Sequence, residues 1–409
     1  MDIRKTVRQV SLKDIDIQSK RVSMVMSKIK EAMLAPLAKK QAPKFTSSDI
    51  TSLCSIDKAK LAYRVLRGDL PGGVVEGSRR VWSLVDAQAW VADYRSQFKR
   101  PKNATGLTIT VANFKGGVAK TTTAVTLAQG LSLKGYKVLV IDLDPQGSAT
   151  TLFGFIPDID VQREHTALTL FEGEEEMIDS AIRPTYWSGI DLVGAAPMLF
   201  SAEFALPARQ IKNPDFEFWK VLELGLDTAR RNYDAIIIDT PPALSYVTIN
   251  ALFAAEGVVM PLPPNALDFA SSSQFWDLFS DLSKQLYQNR DEDKTFDFID
   301  VLLSRVETND SASSIVRQWI IEAYGDKVLP IEIPKTSVAV AASIEFGTIY
   351  DIPKGTLSPK TYTRAKDAYD RFCTLVDEQI QSVWKNQVEE VNEYIKKLDA
   401  EATLRSMQR

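Results

Sequence analysis

From Leu107 onward, the chain alternates short and almost wholly apolar runs with segments of helical pattern. The runs are LTITVANF, KVLVIDLD, YDAIIIDTPP, GVVMPLPP, FIDVLLSRV and KVLPIEIP. Strands without polar alternation are buried on both faces, and strands separated by helices pair in parallel. We therefore predict an α/β domain with a mostly parallel sheet that helices cover on both sides.

This α/β region is only part of the chain, because 409 residues exceed what one hydrophobic core usually organises. The polar stretch FKRPKNATG, Phe98–Gly106, is the best candidate for a linker. We predict four parts: an N-terminal dimerisation helix (residues 1–40), a winged helix–turn–helix-like domain (41–100), the α/β domain (101–357) and a helical segment packing on that domain (358–409).

The N-terminal segment RVSMVMSKIKEAMLAPL has a helical apolar stripe. Val22, Met26, Ile29 and Met33 follow one another at 4-3-4 spacing, which places them along one face of a helix. This face could pack on the protein's own domain or on a second copy. The sequence leaves both alternatives open.

The segment FTSSDITSLCSIDKAKLAYRVLRGD predicts two short helices around a turn at Ser55–Ile56. Ser47 or Ser48 suits the first N-cap and Asp57 the second, because these side chains accept hydrogen bonds from free amides. The following LPGGVVEGSRRVWSLVDAQAWV predicts a glycine-punctuated hairpin and then a helix. The order is that of a helix–turn–helix with a wing.

Basic side chains are concentrated in this winged segment. We predict DNA contacts by Lys58, Lys60, Arg64, Arg67, Arg79 and Arg80. Lys60, Arg64 and Arg67 share a helix face at i, i+4 and i+7, opposite Leu61 and Val65, as in a recognition helix for the major groove. The two arginines of the hairpin suit phosphate or minor-groove contacts. The alternative is an ordinary solvated basic face.

The stretch NFKGGVAKTTT lies between the first apolar run and a helical segment. It departs from the common phosphate loop G-x-x-x-x-G-K-[ST] at Phe114 and Ala119. The strand–loop–helix context still predicts a phosphate site, because loop amides and a helix N-terminus converge there. The predicted phosphate-binding residues are Lys115, Gly116, Gly117, Val118, Ala119, Lys120, Thr121 and Thr122. A glycine-containing turn with incidental lysines is the alternative.

Within this loop, Lys120 would contact the β- and γ-phosphates and the Thr121 hydroxyl would bind Mg²⁺. Three carboxylates follow later apolar runs: VLVIDLDPQGS carries Asp142 and Asp144, and AIIIDTPP ends in Asp239. The carboxyl ends of parallel strands form the ligand-binding edge of such a sheet. We therefore expect these carboxylates beside the phosphate loop.

The motifs KGGVAKTT, DLDPQGS and IIIDTPP, in this order, resemble the deviant Walker ATPases of the ParA/MinD family. With the N-terminal extension, the chain resembles the large plasmid-type ParA partition proteins. The resemblance is strongest over residues 107–352, which include IPKTSVAVAASIEFGTIYDI. The deviant motif K-G-G-x-G-K-[ST] accommodates Phe114 but not Ala119. A methyl group there costs about 1–3 kcal/mol if φ is positive and is tolerated if φ is negative.

The resemblance implies a homodimer that binds ATP or ADP with Mg²⁺ and has weak intrinsic ATPase activity. By resemblance, Lys115 reaches across the dimer interface to the partner's phosphates and acts as an arginine finger would. Asp144 would orient or activate the attacking water. Asp142 and Asp239 would organise Mg²⁺, with Thr121 as a direct ligand.

The resemblance also implies how the nucleotide acts on DNA. The ATP form would bind DNA non-specifically and engage a centromere-bound ParB-type partner, and the ADP or apo form would bind operator DNA as an autorepressor. Adenine would lie near Arg305 and Pro334. The candidates for non-specific DNA contacts are Lys354, Lys360, Arg364 and Lys366.

The composition of the chain excludes several classes of protein function. The net charge of -4 gives no overall nucleic-acid signature, so any DNA binding must come from local patches. Cys54 and Cys373 cannot supply the cluster ligands of an iron-protein reductase. No apolar run approaches the ~20 residues that span a bilayer, and we expect a cytoplasmic, nucleoid-associated protein without a membrane partner.

Two functions other than a partition ATPase can be weighed from the sequence. A nucleotide-sensing transcriptional repressor with a catalytically weak site remains open because of Ala119. A MinD-like membrane-associated ATPase would need a C-terminal amphipathic helix with bulky apolar residues, and the ending LDAEATLRSMQR is too acidic for that role.

Overall fold

The computed structural model describes residues 10–34, 40–287, 293–307, 311–335, 347–352 and 358–407. The chain forms two compact units, Met1–Gln41 and Ala42–Arg409. In the first unit, helix α1 spans Leu12–Leu34. Val22 and Met26 of the predicted stripe are 52% and 38% exposed. The side chains of Ile29 and Met33 lie outside the described part of the chain.

The second unit begins with the winged segment. Its elements are β1 (Phe45–Thr46), α2 (Ser47–Cys54), α3 (Lys58–Arg67), β2 (Val74–Glu76), β3 (Arg79–Trp82) and α4 (Leu84–Tyr94). The strands form an antiparallel sheet in the order β1-β3-β2. Two short helices, a hairpin and a helix therefore follow one another as the sequence predicted.

The ends of these helices depend on capping side chains. Asp57 accepts a hydrogen bond from the Lys60 amide, which confirms it as the N-cap of α3. The N-cap of α2 is Thr46 instead of Ser47 or Ser48. Thr46 and Asp49 bond reciprocally as a capping box, so Ser47 and Ser48 lie inside the first turn of the helix.

In the α/β domain, the described residues form eight strands. They are β4 (Leu107–Val111), β5 (Val138–Asp142), β6 (Arg183–Pro184), β7 (Ile190–Val193), β8 (Ala235–Asp239), β9 (Gly257–Leu262), β10 (Phe298–Val306) and β11 (Val328–Pro334). Their order is β11-β10-β9-β4-β8-β5-β7-β6. All neighbours pair in parallel except β6 with β7, which confirms the mostly parallel sheet. The sequence analysis missed β6 and β7, which have only two and four residues.

Helices cover both faces of this sheet. They are α5 (Lys120–Ser132), α6 (Ser148–Leu152), α7 (Pro157–Asp160), α8 (Leu168–Glu172), α9 (Ala202–Lys212), α10 (Val221–Gly225), α11 (Asp227–Asn232), α12 (Tyr246–Ala254), α13 (Ala266–Tyr287), α14 (Ser311–Tyr324) and α15 (Pro359–Met407). Because the central strands β4, β5, β8 and β9 are fully buried, their apolar runs need no polar alternation. None of the described helices is both long and apolar enough to cross a membrane.

The winged segment and the α/β domain share one apolar core. Trp82 and Trp90 belong to the same buried cluster as Leu131 of α5 and Phe372 of α15. At this contact, Gln88 Nε2 donates hydrogen bonds to Ser132 Oγ (2.8 Å) and to the Ser188 carbonyl (2.6 Å). Helix α4 is therefore fixed to the C-terminal end of the helix that follows the phosphate loop.

The predicted linker is also held in place. Arg100 forms an ion pair with Asp234 (3.1 Å) and donates to the carbonyls of Arg230 and Arg231.

Helix α15 packs through its first half, where Phe372 and Trp384 are buried, and exposes Tyr394 (63%) further on. Packing on the α/β domain was predicted for residues 358–409, and the exposed Tyr394 lies within that range.

Asp300 of β10 is a buried carboxyl group away from the sheet edge. Gln379 Nε2 donates to its Oδ1 (2.8 Å), and Oδ2 has no hydrogen-bond partner among the described residues. Burial raises the pKa of Asp300 to about 6. Because the folded-state pKa lies above the unfolded value, this group's contribution to stability is complete below about pH 4 and is lost as pH rises through about 6.

Replacing Asp300 with asparagine is therefore expected to raise the free energy of unfolding by about 2 kcal/mol at pH 8. Urea unfolding at pH 5 and pH 8 measures the effect, and the gain should be clearly larger at pH 8. Asp326→Asn is the matched control, because Asp326 is 97% exposed on its side chain. Equal gains at both pH values would contradict the assignment.

Candidate nucleotide site

Strand pairing brings the predicted carboxylates and the phosphate loop to one edge of the sheet. Strand β8 lies between β4 and β5, and Asp239 at its end is in register with Val111 on one side and Asp142 on the other. The loop of residues 112–119 follows β4 directly, and α5 begins at Lys120. The sequence expectation of a common edge is therefore met for these residues.

The phosphate loop is held by its carbonyl groups. Lys120 Nζ donates to the Lys115 carbonyl (2.9 Å), Ser304 Oγ to the Val118 carbonyl (3.0 Å), and an Arg305 guanidinium nitrogen to the Gly117 carbonyl. In contrast, the amides of residues 116–119 donate to no other described residue. A loop that keeps its carbonyls occupied and its amides free is suited to an anion.

Ala119 is the N-cap of α5 and adopts the left-handed conformation, with φ 76° and ψ 29°. Of the two possibilities that the sequence left open, the structure therefore has the strained one. An L-residue with a side chain costs about 1–2 kcal/mol in this region, whereas glycine adopts it freely. The departure at this position strains the loop without changing its path, because Thr123 still bonds to the Ala119 carbonyl (2.9 Å).

Replacing Ala119 with glycine is expected to increase the free energy of unfolding by about 1 kcal/mol. The relief of the left-handed strain exceeds the entropy that glycine adds to the unfolded chain. Ala208→Gly in the exposed part of α9 is the matched control and should cost about 1 kcal/mol. Thermal or urea unfolding measures both, and a loss of stability in both variants would contradict the strain at Ala119.

Lys120 is a buried cation close to two carboxylates. Its side chain is at the start of α5 and the residue is 7% exposed. Burial lowers the pKa of Lys120, and the nearby carboxylates of Asp239 and Asp144 oppose that shift. A buried cation with one carbonyl contact can reach a second, anionic partner at little cost, because much of its desolvation has already occurred.

Asp142 and Asp239 are adjacent and fully buried but have different surroundings. Asp142 accepts hydrogen bonds from the Thr150 amide and hydroxyl (both 2.8 Å) and from the Asp144 amide (3.1 Å). Burial raises the pKa of Asp142 to about 7 despite these bonds. Its carboxylate therefore fixes the loop from Asp144 to Thr150 in place.

Neither oxygen of Asp239 has a hydrogen bond of normal geometry to another described residue. Burial, then the neighbouring Asp142, raises the pKa of Asp239 well above its usual value, while Thr121 and Lys120 lie near enough to oppose the shift. A buried carboxylate without partners is costly unless a cation or a cation-bound water meets it. The donor set of Asp239 and Thr121 therefore fits Mg²⁺, the hard ion that prefers oxygen.

The described residues contain no group of three His, Cys, Asp or Glu side chains that could hold a metal ion by themselves. Magnesium in such a site would need oxygen atoms from phosphates as well, as is usual for this ion. The predicted metal ligands Thr121, Asp142 and Asp239 differ in whether their oxygen atoms already have hydrogen-bond partners. The oxygen atoms of Asp239 and Thr121 are available to bind an ion. The carboxylate of Asp142 already accepts hydrogen bonds from neighbouring residues.

The side chain of Lys115 points away from its own phosphate loop. Its Nζ forms an ion pair with Oδ1 of Asp268, near the start of α13, and its amide donates to Asn113 Oδ1 (3.1 Å). The Lys115 side chain is 36% exposed and that of Asp268 only 7%. The sequence analysis did not find Asp268, which has no motif around it and is far away along the chain.

The remaining predicted site residues have the following positions in the structure. Asp144 is half-buried beyond β5 and accepts from the Gln146 amide (2.9 Å). Arg305 adopts a positive φ of 52° at the end of β10, and Pro334 ends β11 paired with Val306. Thr122 is half-buried in the first turn of α5. Residues 336–346 of the late motif lie outside the described residues.

The predicted DNA-binding side chains differ in their availability. Lys58 and Arg79 are exposed, and Arg80 is exposed while donating to the Gly72 carbonyl (2.6 Å). Lys60 lies over the ring of Tyr94 (5.0 Å). Arg67 is exposed and pairs with Asp69, and Arg64 is turned inward. These contacts leave the DNA-binding assignment as a prediction.

The candidates for non-specific DNA contacts lie at the start of α15. Lys360 and Arg364 are exposed one turn apart. Lys366 pairs with Asp370 (2.5 Å) and lies over the ring of Tyr350, so its charge is partly neutralised. Lys354 lies outside the described residues.

Comparison with known proteins identifies the family. The AAA domain family matches residues 106–291. The putative replication protein A of Rhizobium rhizogenes is 29% identical over 85% of this chain and 89% of its own length. The chromosome partitioning protein ParA of Caulobacter vibrioides is 30% identical over 60% of this chain and 87% of its own length.

A solved structure named Partition Protein shares the fold, with a TM-score of 0.60 at 20% identity. It covers 90% of this chain and 98% of the other, so the likeness extends beyond the α/β domain. The fold, the deviant phosphate loop and these relatives agree. The chain belongs to the ParA family of partition ATPases.

Proposed function

We propose that this protein is an ATP-driven DNA partition switch. The ATP–Mg²⁺ form is a dimer that binds DNA non-specifically and is stimulated by a ParB-type partner. The ADP or apo form binds operator DNA and represses transcription. The proposal places the protein in the cytoplasm, on the nucleoid.

The observation that carries this proposal is the pairing of a donor loop with an unpartnered buried carboxylate. The free amides of residues 116–119 and the ammonium group of Lys120 suit a polyphosphate. The buried oxygens of Asp239 suit a cation associated with that polyphosphate. The described residues satisfy neither group, and Mg²⁺–ATP would satisfy both.

In the proposed reaction, the chain contributes mainly positioning and charge. Lys120 would hold the β- and γ-phosphates, and Thr121 with Asp239 would hold the Mg²⁺ ion, which would neutralise charge on the phosphate oxygens. Asp144 orients the attacking water. Lys115 leaves Asp268 and reaches the partner's phosphates, so its charge arrives only when the dimer forms.

The ion pair between Lys115 and Asp268 explains why hydrolysis would be slow before dimerisation. While Asp268 holds the ammonium group, that charge is unavailable to any phosphate. Dimerisation would also use helix α1, where Val22 and Met26 are exposed together with Ile15 and Val25. An exposed apolar helix face of this kind is a common self-association surface.

The test uses the full-length protein with ATP, a slowly hydrolysed ATP analogue, ADP or no nucleotide. Sedimentation measures the oligomeric state, fluorescence anisotropy measures binding to random duplex DNA at several salt concentrations, and phosphate release measures turnover. We expect dimers and salt-sensitive DNA binding with ATP, and turnover that rises with DNA and a centromere-binding partner. Binding to DNA that is independent of nucleotide would refute the proposal.

The strained Ala119 supports one second candidate, a nucleotide-sensing repressor with a catalytically weak site. This candidate predicts nucleotide-dependent operator binding with no turnover, even when DNA and the partner are present. The turnover measurement therefore separates the two proposals. Recovery of turnover in the Ala119→Gly variant would indicate that the loop strain limits the reaction.

A further inference from the structure

Helix α3 presents an apolar strip at the centre of its outward face. Ala59, Ala62, Tyr63 and Leu66 are all exposed and follow one another at i, i+3, i+4 and i+7, which makes them neighbours on one side of the helix. Tyr63 is 61% exposed and Leu66 is 87% exposed. On the opposite side, Leu61 is buried in the core of the winged segment.

Basic residues border this strip on both sides. Lys58 precedes it on one edge, and Lys60 and Arg67 lie on the other edge, all exposed. Arg79 and Arg80, both exposed, add positive charge on the hairpin of the same winged segment. An apolar centre between two cationic borders complements a groove whose two walls are phosphate backbones.

Arg64, which the sequence pattern assigns to DNA, does not belong to this surface. Its guanidinium pairs with Asp69 (3.0 Å) and Asp93 (3.1 Å) and donates to the Tyr94 hydroxyl (3.2 Å). Its side chain is only 18% exposed. Arg64 therefore ties α3 to the end of α4 and acts as a positioning residue.

We propose that the apolar strip of α3, namely Ala59, Ala62, Tyr63 and Leu66, is the base-reading surface of this protein and recognises the 5-methyl groups of thymine in the major groove. Small and aliphatic side chains distinguish thymine by contact with that methyl group, which cytosine and uracil lack. Lys58, Lys60 and Arg67 then position the helix on the phosphates without reading the sequence. The inference rests on the proposed operator binding.

Charge complementarity selects DNA over a protein partner as the occupant of this face. Five exposed cations lie on α3 and on the hairpin, and the nearby acids Asp69 and Asp93 are already paired with Arg64, Asp69 also lying 3.5 Å from Arg67. The apolar patch is also only one helix wide, which suits a major groove of about 12 Å. A protein interface of ordinary size would need a broader apolar centre.

The test begins with selection of preferred duplexes from a random-sequence pool by the full-length ADP-bound protein. Each thymine of the selected half-site is then replaced by uracil, which removes only the methyl group. We expect about fourfold weaker binding for each contacted thymine, the loss expected for one buried methyl group. In the Leu66→Ser and Tyr63→Ser variants, the thymine and uracil duplexes should bind equally well at the affected position.

Val85→Ser on α4 is the matched control, because Val85 is 60% exposed outside the strip. It should retain the full preference for thymine. Arg67→Gln should weaken binding to every sequence and reduce the salt dependence by about one unit, whereas Leu66→Ser should leave the salt dependence unchanged. Leu66→Met, which keeps an apolar contact, should retain part of the preference.

The outcomes separate this inference from the function on which it rests. If no preferred sequence emerges from the ADP-bound protein, operator binding is wrong and the inference is wrong with it. If a preferred sequence emerges but uracil binds as well as thymine, only the inference is overturned. The inference is also overturned if Leu66→Ser keeps DNA binding and instead loses a protein partner.

Discussion

Replacement of Lys115 by alanine is expected to reduce ATP hydrolysis by about 10³-fold or more while leaving ATP binding almost unchanged. The size of the effect follows from the role of a charge supplied across an interface, for which losses of about 10³–10⁵ are usual. Binding should survive because the Lys115 side chain points to Asp268 and not into its own phosphate loop. Phosphate release and nucleotide titration with a fluorescent ATP analogue measure the two quantities.

Asp268→Asn is the matched variant for this experiment. It keeps the shape of the side chain but removes the charge that holds Lys115, so ATP-driven dimers should form more readily. Sedimentation with the slowly hydrolysed analogue should detect dimers for Asp268→Asn at lower protein concentration than for the unsubstituted protein. If Lys115→Ala loses ATP binding in parallel with hydrolysis, the lysine acts within its own subunit and the proposed role is wrong.

Parts of this structure could be predicted because local rules govern them. The apolar runs of β4, β5, β8 and β9 required a buried parallel sheet, and parallel strands carry Asp142 and Asp239 to a common edge. The N-cap at Asp57 followed from side-chain chemistry alone. The phosphate loop was recognisable from its position between a strand and a helix.

Other parts depend on contacts that no local pattern reveals. Asp268 meets Lys115 only because α13 returns to the edge of the sheet, and Ser304 reaches the Val118 carbonyl from β10. Helical spacing put Arg64 on a basic face, but three partners on neighbouring elements turn it inward. The sequence raised the question of φ at Ala119 and could not answer it, because the backbone angle depends on the whole loop.

Asp142 and Asp239 illustrate how tertiary contacts assign different functions to similar residues. Both end a buried strand, both are fully buried, and both would be described as acidic residues of a nucleotide site. Hydrogen bonds from Thr150 and the Asp144 amide occupy Asp142, whereas Asp239 has none from the described residues. The same substitution should therefore stabilise the ligand-free protein less at Asp142 than at Asp239.

Asp239→Asn is expected to stabilise the ligand-free protein by about 1–2 kcal/mol at pH 8, because it removes a buried carboxylate without partners. Its raised pKa means that the cost is absent when the group is protonated at low pH and appears as pH rises, so the gain should grow with pH. Asp142→Asn should gain less at pH 8, because an amide group cannot accept all three hydrogen bonds that partly offset the burial of Asp142.

Asp239→Asn should lower activity although it raises the stability of the ligand-free protein. We expect Mg²⁺-dependent ATP hydrolysis to fall by roughly 100-fold or more, and the Mg²⁺ concentration needed for half-maximal nucleotide binding to rise by about 10–100-fold. Urea unfolding without ligand and nucleotide titration at several Mg²⁺ concentrations measure the two effects in one preparation. A more stable protein that binds Mg²⁺–ATP poorly cannot be explained by misfolding. If Asp239→Asn instead lowered stability and left the Mg²⁺ dependence unchanged, the carboxylate would be a structural group, and the ion would have to be held elsewhere.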